Sequence, residues 1–403
     1  MIFDLAIIGS GVAGSFATYK LAKNYPNIKA IIFDSGRPPQ KRRTQSQGYL
    51  GMLPSSDGKF YLSNLPQVSS IIGARKTKSC FEQFKKIISN IDIFPVVKDK
   101  GPNKATTNKI KSQGYNICLN DYMQMYPKNI HALSRYFVNV YENDKNLTFK
   151  FDTDANYISK NKDVFTIHTD IGEYKAKKLI IAVGRSGWHW ARDVFNSFGI
   201  IDNNNTAKFG IRVEMGADIL REFNHSSCSL IRDDLTVGPF CWNGTIIPED
   251  HFDLAISAFR SNEDRWHTDK VSFTIIGNRQ FQNNGFEQTD RIGKLTFIIV
   301  NDRIVKERVG NIISNKSKIS IFPEYNWLKD SLREFSEVIP EIIVKANYHV
   351  PTIIPMAPLI KIGSKLSTEI NNMYVVGESA NTVGLLSAAV MGLSVVDFAC
   401  RKG

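Results

Sequence analysis

The sequence predicts an α/β chain in which a parallel-sheet domain is split by an inserted α+β domain, and three observations predict it. Short, wholly apolar runs recur at Leu5-Ala6-Ile7-Ile8, Ala30-Ile31-Ile32-Phe33, Leu179-Ile180-Ile181-Ala182-Val183 and Met373-Tyr374-Val375-Val376, as strands buried on both faces require. The first is followed by a glycine-rich turn and a helical stretch. The last two are separated by nearly two hundred residues of mixed pattern, so the sheet must close across an insertion. Together these make a Rossmann-like domain.

Taken in order, Gly9-Ser10-Gly11-Val12-Ala13-Gly14 completes a G-x-G-x-x-G between a strand and a helix read over 15–24. The first glycine permits the tight turn, the second lets the backbone approach a pyrophosphate, and the third allows close helix–strand packing. The helix N-terminus then offers free N–H groups and partial positive charge to the phosphates. Asp34 stands 20 residues beyond Gly14 at the end of the second strand, where a carboxylate can bind ribose hydroxyls.

Beyond this unit, 36–114 reads as basic and rich in loops, and a helix is expected around 129–141. Alternation over 147–167 suggests antiparallel strands. The stretch 187–346 is expected to be the inserted substrate domain, with strands near Ile211–Val213, Ile275 and Thr296–Val300. The expected division is therefore 1–186, 187–346 and 347–403, the outer two forming one nucleotide-binding domain. Leu385 to Cys400 reads as a helix rich in small residues.

Composition narrows the class. The chain has 403 residues, 42% of them hydrophobic and 22% charged, an ordinary globular balance. No stretch reaches the roughly 18 to 20 uninterrupted apolar residues of a membrane span, and no leader pattern opens the chain, so a cytoplasmic protein without a membrane partner is expected. Five cysteines are scattered without C-x-x-C spacing, which argues against a zinc ribbon, a thioredoxin motif or a disulfide scaffold; no metal site is expected. The net charge of +12 is concentrated: 36–115 holds fifteen Lys and Arg against four acids. This basic segment reads either as a solvated lysine-rich surface or as a contact for nucleic acid.

Two later segments favour FAD over NAD as the dinucleotide. The strand ending in Ala182-Val183-Gly184 resembles the short "A-T-G" motif of two-dinucleotide flavoproteins, with Val183 in the threonine place. Gly377-Glu378 after the last strand resembles the second flavin motif, with Glu378 where Asp is usual. A carboxylate there can accept a hydrogen bond from a ribityl hydroxyl. The turn to Gly384, Leu385 and Leu386 opens the final helix, whose N–H groups can stabilise negative charge at the ring's carbonyl edge.

These residues resemble the bacterial FAD-dependent dehydrogenases of the NAD-utilising type, within the glutathione-reductase-like superfamily. Asp34-Ser35-Gly36-Arg37 looks like the "E-x-G" after the second strand. Gly48-Tyr49-Leu50-Gly51 followed by Ser56-Asp57-Gly58-Lys59 is similar to that family's "G-x-G-G-A-G-x-x-S-D-G-K-L" block. Gly184-Arg185-Ser186-Gly187 resembles its "G-[HR]-S", Phe240-Cys241 with Gly244 its "T-F-C-x-x-P-x-G" without the proline, and Gly377-Glu378-Ser379-Ala380 with Gly384-Leu385 its "G-D-G-A-G-x-x-x-G-[IL]". The departures are Glu378, Ser379 and a glycine-poor 48–54 loop.

The resemblance implies an FAD-dependent oxidoreductase, a dehydrogenase or oxidase moving a hydride between a small molecule and flavin. It places the dinucleotide against Gly9 to Gly14, Asp34 to Arg37, Ser56 to Gly58, Ala182 to Gly184, Gly377, Glu378 and Gly384 to Leu386. The isoalloxazine carries the redox chemistry itself, so the catalytic candidates are few. Lys59 or Arg185 would hold negative charge on ring or substrate, and His189 would move a proton. A histidine that merely packs between Trp188 and Trp190 is the alternative. Trp-x-Trp also occurs in flavin-dependent halogenases, but the Ile-Pro that continues their motif is missing. No second glycine fingerprint follows a strand, so electrons come from the substrate or from NAD(P)H docking transiently. Two other readings stay open: a flavoenzyme that modifies a nucleic-acid base through the basic segment, and a scaffold that binds FAD without turnover.

Overall fold

The computed structural model describes residues 1–41, 47–202, 204–251, 254–260, 264–282, 284–301, 303–355 and 359–401. Two compact units emerge. The first comprises Met1–Pro95, Met123–Asn203 and Met356–Gly403; the second comprises Val96–Tyr122 and Asn204–Pro355.

The first unit is built on five parallel strands: β1 (Leu5–Ile8), β2 (Ala30–Phe33), β3 (Leu147–Lys150), β4 (Leu179–Ile181) and β5 (Met373–Val375). Their order is β5-β4-β1-β2-β3. The chain runs from β1 outward through β2 to β3, then returns to the other side of β1 at β4. That reversal is the topological switch point, and the cleft outside the carboxyl ends of β1 and β4 is where such sheets bind ligands. Every residue of β1 and β2 is buried, as two-sided coverage demands.

The covering helices are α1 (Val12–Asn24), α2 (Leu65–Ile72), α3 (Ala74–Ile88), α4 (Pro127–Glu142), α5 (Trp188–Ser197) and α6 (Leu385–Cys400). A Cβ on Gly392 of α6 would lie 2.2 Å from the Ala13 carbonyl oxygen, so α1 and α6 approach at a point only glycine allows. An ion cluster ties the same helices together. Lys20 of α1 and Lys76 of α3 both contact Asp397 of α6, Lys20 at 2.7 Å, and the Tyr25 hydroxyl donates to the same carboxylate at 2.8 Å. Burial alone would raise the Asp397 pKa, but the two lysines outweigh it and hold the carboxyl below its ordinary value. Beside the main sheet stands a smaller one, Ile2–Phe3, Gly172–Ala176, Val164–Thr169 and Ala155–Asn161, antiparallel except for its first pairing.

In the second unit, Thr206–Gly216 and Lys270–Gln280 pair antiparallel over 11 residues each. Asn347–Ile353 and Val305–Arg308 extend the sheet on one side, and Leu235–Val237, Ser229–Arg232 and Asn116–Cys118 on the other. Phe209, Ile211, Val213, Phe273, Ile275, Tyr348 and Val350 are fully buried in one cluster with Leu328, Leu332 and Phe335. The alternate side chains form the polar face.

Three expectations need correction. The span 147–167 is not antiparallel throughout: 147–150 pairs parallel with β2 at the sheet's edge, and edge exposure gives a parallel strand a mixed pattern. The expected strand 296–300 lies almost wholly in the helix Gly285–Ile299, capped by the Asn284 side chain. A five-residue apolar run cannot separate a buried strand from one face of a helix. The basic stretch 36–114, expected to be rich in loops, also contains α2, α3 and the helix Lys104–Ser112.

Its cations are divided between the two units. Residues to Pro95 belong to the first unit and the remainder to the second. Lys76 is engaged with Asp397, Lys85 with Glu82 and Lys98 with Asp121. Arg42 and Arg43 lie outside the described residues. Among the described residues, no helix is long and apolar enough to cross a membrane.

Candidate dinucleotide site

The three glycines of the fingerprint differ in why they are glycine. Gly9 has φ +96°, and a Cβ there would sit 2.5 Å from the Ala182 carbonyl oxygen. A Cβ on Gly14 would sit 1.9 Å from the Gly9 carbonyl oxygen. Both are dictated by the turn and by helix–strand packing. Gly11 is not: its φ of −59° suits any residue, and a Cβ would approach no closer than 3.9 Å to Ala182 and Gly51. Among the described residues, none fills the space beside Gly11.

That space adjoins the start of α1. Gly11 is the N-cap, no side chain caps it, and no acid lies in the first turn. The leading N–H groups of Val12, Ala13 and Gly14 are those that an α-helix leaves without intrahelical partners, and they form an anion seat.

Asp34 is organised from inside the protein. Its Oδ2 accepts from the Ser10 backbone N–H and hydroxyl, each at 2.7 Å, and Oδ1 accepts from the Gly36 N–H at 2.8 Å. Asp34 is 8% exposed. It thus locks the glycine turn to the end of β2. Ser35 is exposed, and Arg37 reaches Asp152 at 3.5 Å. A Cβ on Gly36 would strike the Gly48 backbone at 2.4 Å, and the Leu50 N–H donates to the Ser10 carbonyl at 2.9 Å. The 48–51 turn therefore lies on the glycine turn, a neighbour that spacing alone did not reveal.

The Ser56-Asp57-Gly58 turn is equally local. The Gly58 N–H bonds the Ser56 hydroxyl at 3.0 Å, and the Lys59 N–H bonds Asp57 at 3.2 Å. Gly58 has φ +70°, and a Cβ would collide with the Met125 carbonyl at 2.0 Å. Lys59 is 8% exposed with Nζ 3.9 Å from Asp57.

At the end of β4, the Ala182 N–H donates to the Ile8 carbonyl at 2.8 Å. Val183 is half-buried, and Gly184, with φ +62°, is open to its side. At the end of β5, Gly377 has φ +68° and faces Ala13 across a gap where a Cβ would make a 3.4 Å contact. The Arg185 guanidinium donates to the Glu378 carboxylate at 2.7 Å, both side chains being a little over a quarter exposed. This pair bridges the ends of β4 and β5. Gly384, φ +107°, is the uncapped N-cap of α6, ahead of half-buried Leu385 and buried Leu386. The loop before it is pinned by the Gln67 amide, which donates to the Asn381 carbonyl at 2.6 Å.

The three catalytic candidates lie on a strand, in the turn after β4 and on a helix. Lys59 opens the strand Lys59–Tyr61, which packs against α6. Arg185 joins Glu378. His189 lies on α5 with its ring 4.5 Å from that of Trp188, tilted by 56°. Trp190 donates from its indole to the Ala155 carbonyl.

No family model matches the sequence, and none of the curated proteins does. Among solved structures, the chain is similar to glycine oxidase from Geobacillus kaustophilus, with 13% identity, 100% of this chain and 95% of that chain covered, and a TM-score of 0.47. It is similar to NikD, an unusual amino acid oxidase essential for nikkomycin biosynthesis, with 10% identity, coverage of 99% and 94%, and a TM-score of 0.44. A third likeness is to p-nitrophenol 4-monooxygenase PnpA from Pseudomonas putida DLL-E4, with 11% identity, coverage of 98% and 78%, and a TM-score of 0.42.

Proposed function

We propose that the chain is an FAD-dependent oxidoreductase, a dehydrogenase or oxidase acting on a small molecule, of the kind represented by the bacterial NAD-utilising-type flavoprotein dehydrogenases. One observation carries the reading: no described residue requires glycine at position 11, at a switch point where an uncapped helix begins. When bound, FAD supplies the transfer of hydride or electrons.

The polypeptide's tasks follow from its own groups. The N–H groups of Val12, Ala13 and Gly14 receive the pyrophosphate, and Ser10 and Gly36 orient Asp34 toward the adenosine ribose. Arg185 fixes the longer Glu378 side chain in one direction, which answers the extra methylene relative to aspartate, so that it can accept from a ribityl hydroxyl. The N-terminus of α6 at Gly384 to Leu386 offers its N–H groups to the ring's carbonyl edge. His189 is the proton carrier and Lys59 the buried cation nearest the Ser56 to Gly58 turn. Electrons enter from the substrate or from transiently docked NAD(P)H, and the working compartment is the cytoplasm.

The test is a competitive titration of ligand-stripped protein with FAD, FMN and NAD⁺, followed by quenching of flavin fluorescence. Saturable uptake of FAD, with the other two weaker, is expected. Preferential uptake of NAD⁺ overturns the reading.

A further inference from the structure

The turn that leads into α6 is held by an element the dinucleotide reading leaves unused, the start of α2. Asn64 is the N-cap of that helix, and Gln67 follows in its first turn, three residues on and so on the same side. Both reach one short stretch, Asn381 to Ser387, more than three hundred residues further along the chain. The Gln67 amide donates to the Asn381 carbonyl at 2.6 Å, and the Asn64 backbone carbonyl accepts from the Ser387 hydroxyl at 3.5 Å.

The Asn64 side chain does not cap its own helix. Its amide lies instead against Gly384, where a Cβ would come within 2.2 Å of Nδ2 and 3.3 Å of Cγ. Glycine at 384 therefore serves two ends, a φ of +107° and the close approach of the Asn64 amide. The turn is tied at its other end too. Asn381, with φ +56°, donates from its N–H to the Glu378 carbonyl at 2.9 Å, and the Thr382 hydroxyl donates to the Gly377 carbonyl at 2.8 Å. It is thus slung between the end of β5 and the start of α2. Gly384 has no side chain with which to cap α6, and the first N–H groups of a helix lack intrahelical partners. Their direction follows from the turn before them. Charge stabilisation by N–H groups depends steeply on distance and angle, so whatever fixes this turn also fixes how much of it a ligand receives.

We infer that Asn64 and Gln67 are positioning residues for the flavin's carbonyl edge. They act through the backbone of Asn381 and Gly384, holding the leading N–H groups of α6 in one direction. They thereby tune how well the negative charge left on the ring by reduction is stabilised. This role rests on the flavin reading and deepens it by naming two side chains that set the reduction potential.

The experiment is the midpoint potential of the FAD-loaded full chain, read against a reference dye, for the unaltered protein and for Gln67→Met, Asn64→Ala and Ser89→Ala. Gln67 is exposed, so Gln67→Met removes the donor at similar length and leaves the core intact. Asn64→Ala removes the amide seated on Gly384. Each should disfavour reduction about three- to ten-fold, the net worth of one hydrogen bond. That lowers the potential by about 15 to 30 mV for a two-electron couple. Ser89→Ala removes a comparable exposed bond, from its hydroxyl to the Lys86 carbonyl at 2.9 Å, and should leave the potential unchanged. Melting of the ligand-free variants is recorded alongside. A lower melting temperature at an unchanged potential makes the clamp purely structural and overturns the assignment, as does an equal shift in Ser89→Ala. Failure of the unaltered chain to take up FAD overturns the flavin reading and this role with it. Normal uptake with potentials unmoved by Gln67→Met and Asn64→Ala overturns this role alone.

Discussion

Replacing Gly11 by alanine separates a glycine kept for a ligand from glycines kept for the fold. At Gly11 the added methyl carbon meets nothing closer than 3.9 Å, and φ is −59°, so the stability change should stay within about 0.5 kcal/mol, as for a surface substitution. The same methyl at Gly14 lies 1.9 Å from a backbone carbonyl, an overpacking that costs about 1–3 kcal/mol or more because the backbone must move. For FAD the order reverses. A methyl at Gly11 enters the volume the pyrophosphate needs, and a comparable overpacking of about 1–3 kcal/mol weakens binding roughly 5- to 150-fold. Thermal unfolding of ligand-free protein reads the first quantity and flavin fluorescence quenching the second. The reasoning is refuted if Gly11→Ala binds FAD as wild type does, or if it destabilises the ligand-free protein as much as Gly14→Ala.

Further outcomes follow from the same geometry. Asp397→Asn should destabilise the chain by about 3–5 kcal/mol, since it leaves the buried Lys20 and the neighbouring Lys76 uncompensated; urea unfolding measures it, and a loss below about 1 kcal/mol would deny the cluster its structural role. Because the Asp397 pKa is lowered on folding, its contribution is present above the unfolded value, near 3.8, and fades as pH falls through the folded one. Glu214, whose burial is outweighed by His349 and Lys306, behaves likewise, its contribution being complete above about pH 4.5 and lost on the way down to about 2. Glu214→Gln should flatten that acid limb in pH-dependent melting, and an unchanged limb would contradict the assignment. Glu378→Ala should cost less than about 1 kcal/mol of stability, since its pair with Arg185 is partly exposed, yet it should lower FAD affinity in the quenching titration. Equal affinity would remove Glu378 from the site.

Much of the first unit was legible because its strands are buried on both faces. Runs such as Ala30-Ile31-Ile32-Phe33 are ambiguous alone, but the turn residues that flank them, Pro26-Asn27 before and Asp34-Ser35-Gly36 after, limit them to strand length. Leu147–Lys150 escaped because an edge strand is covered on fewer sides, and each of its residues is half-buried. The helix Gly285–Ile299 escaped because its C-terminal turns hold Thr296, Phe297, Ile298 and Ile299, whose β-branched and aromatic side chains favour strands when read alone. Only the Asn284 cap signals the longer element. At the site, Gly9 to Gly14 and Asp34 were readable from spacing, since their neighbours in sequence are their neighbours in space. The Arg185–Glu378 pair, 193 residues apart, and the Lys20–Asp397 bond, 377 apart, were not. No local pattern encodes a contact made only when β4, β5, α1 and α6 have assembled. The Glu214 cluster was hidden for a related reason: Glu214, Lys270, Lys306 and His349 come from four strands, and only cross-strand register gathers them.

The most direct measurement is the mass of whatever small molecule heat releases from the purified chain, taken with the visible spectrum of the intact protein. The account predicts a yellow protein that yields FAD, one per chain, and that recovers its colour when stripped and resupplied. A colourless protein that stays empty in the presence of excess FAD would contradict it.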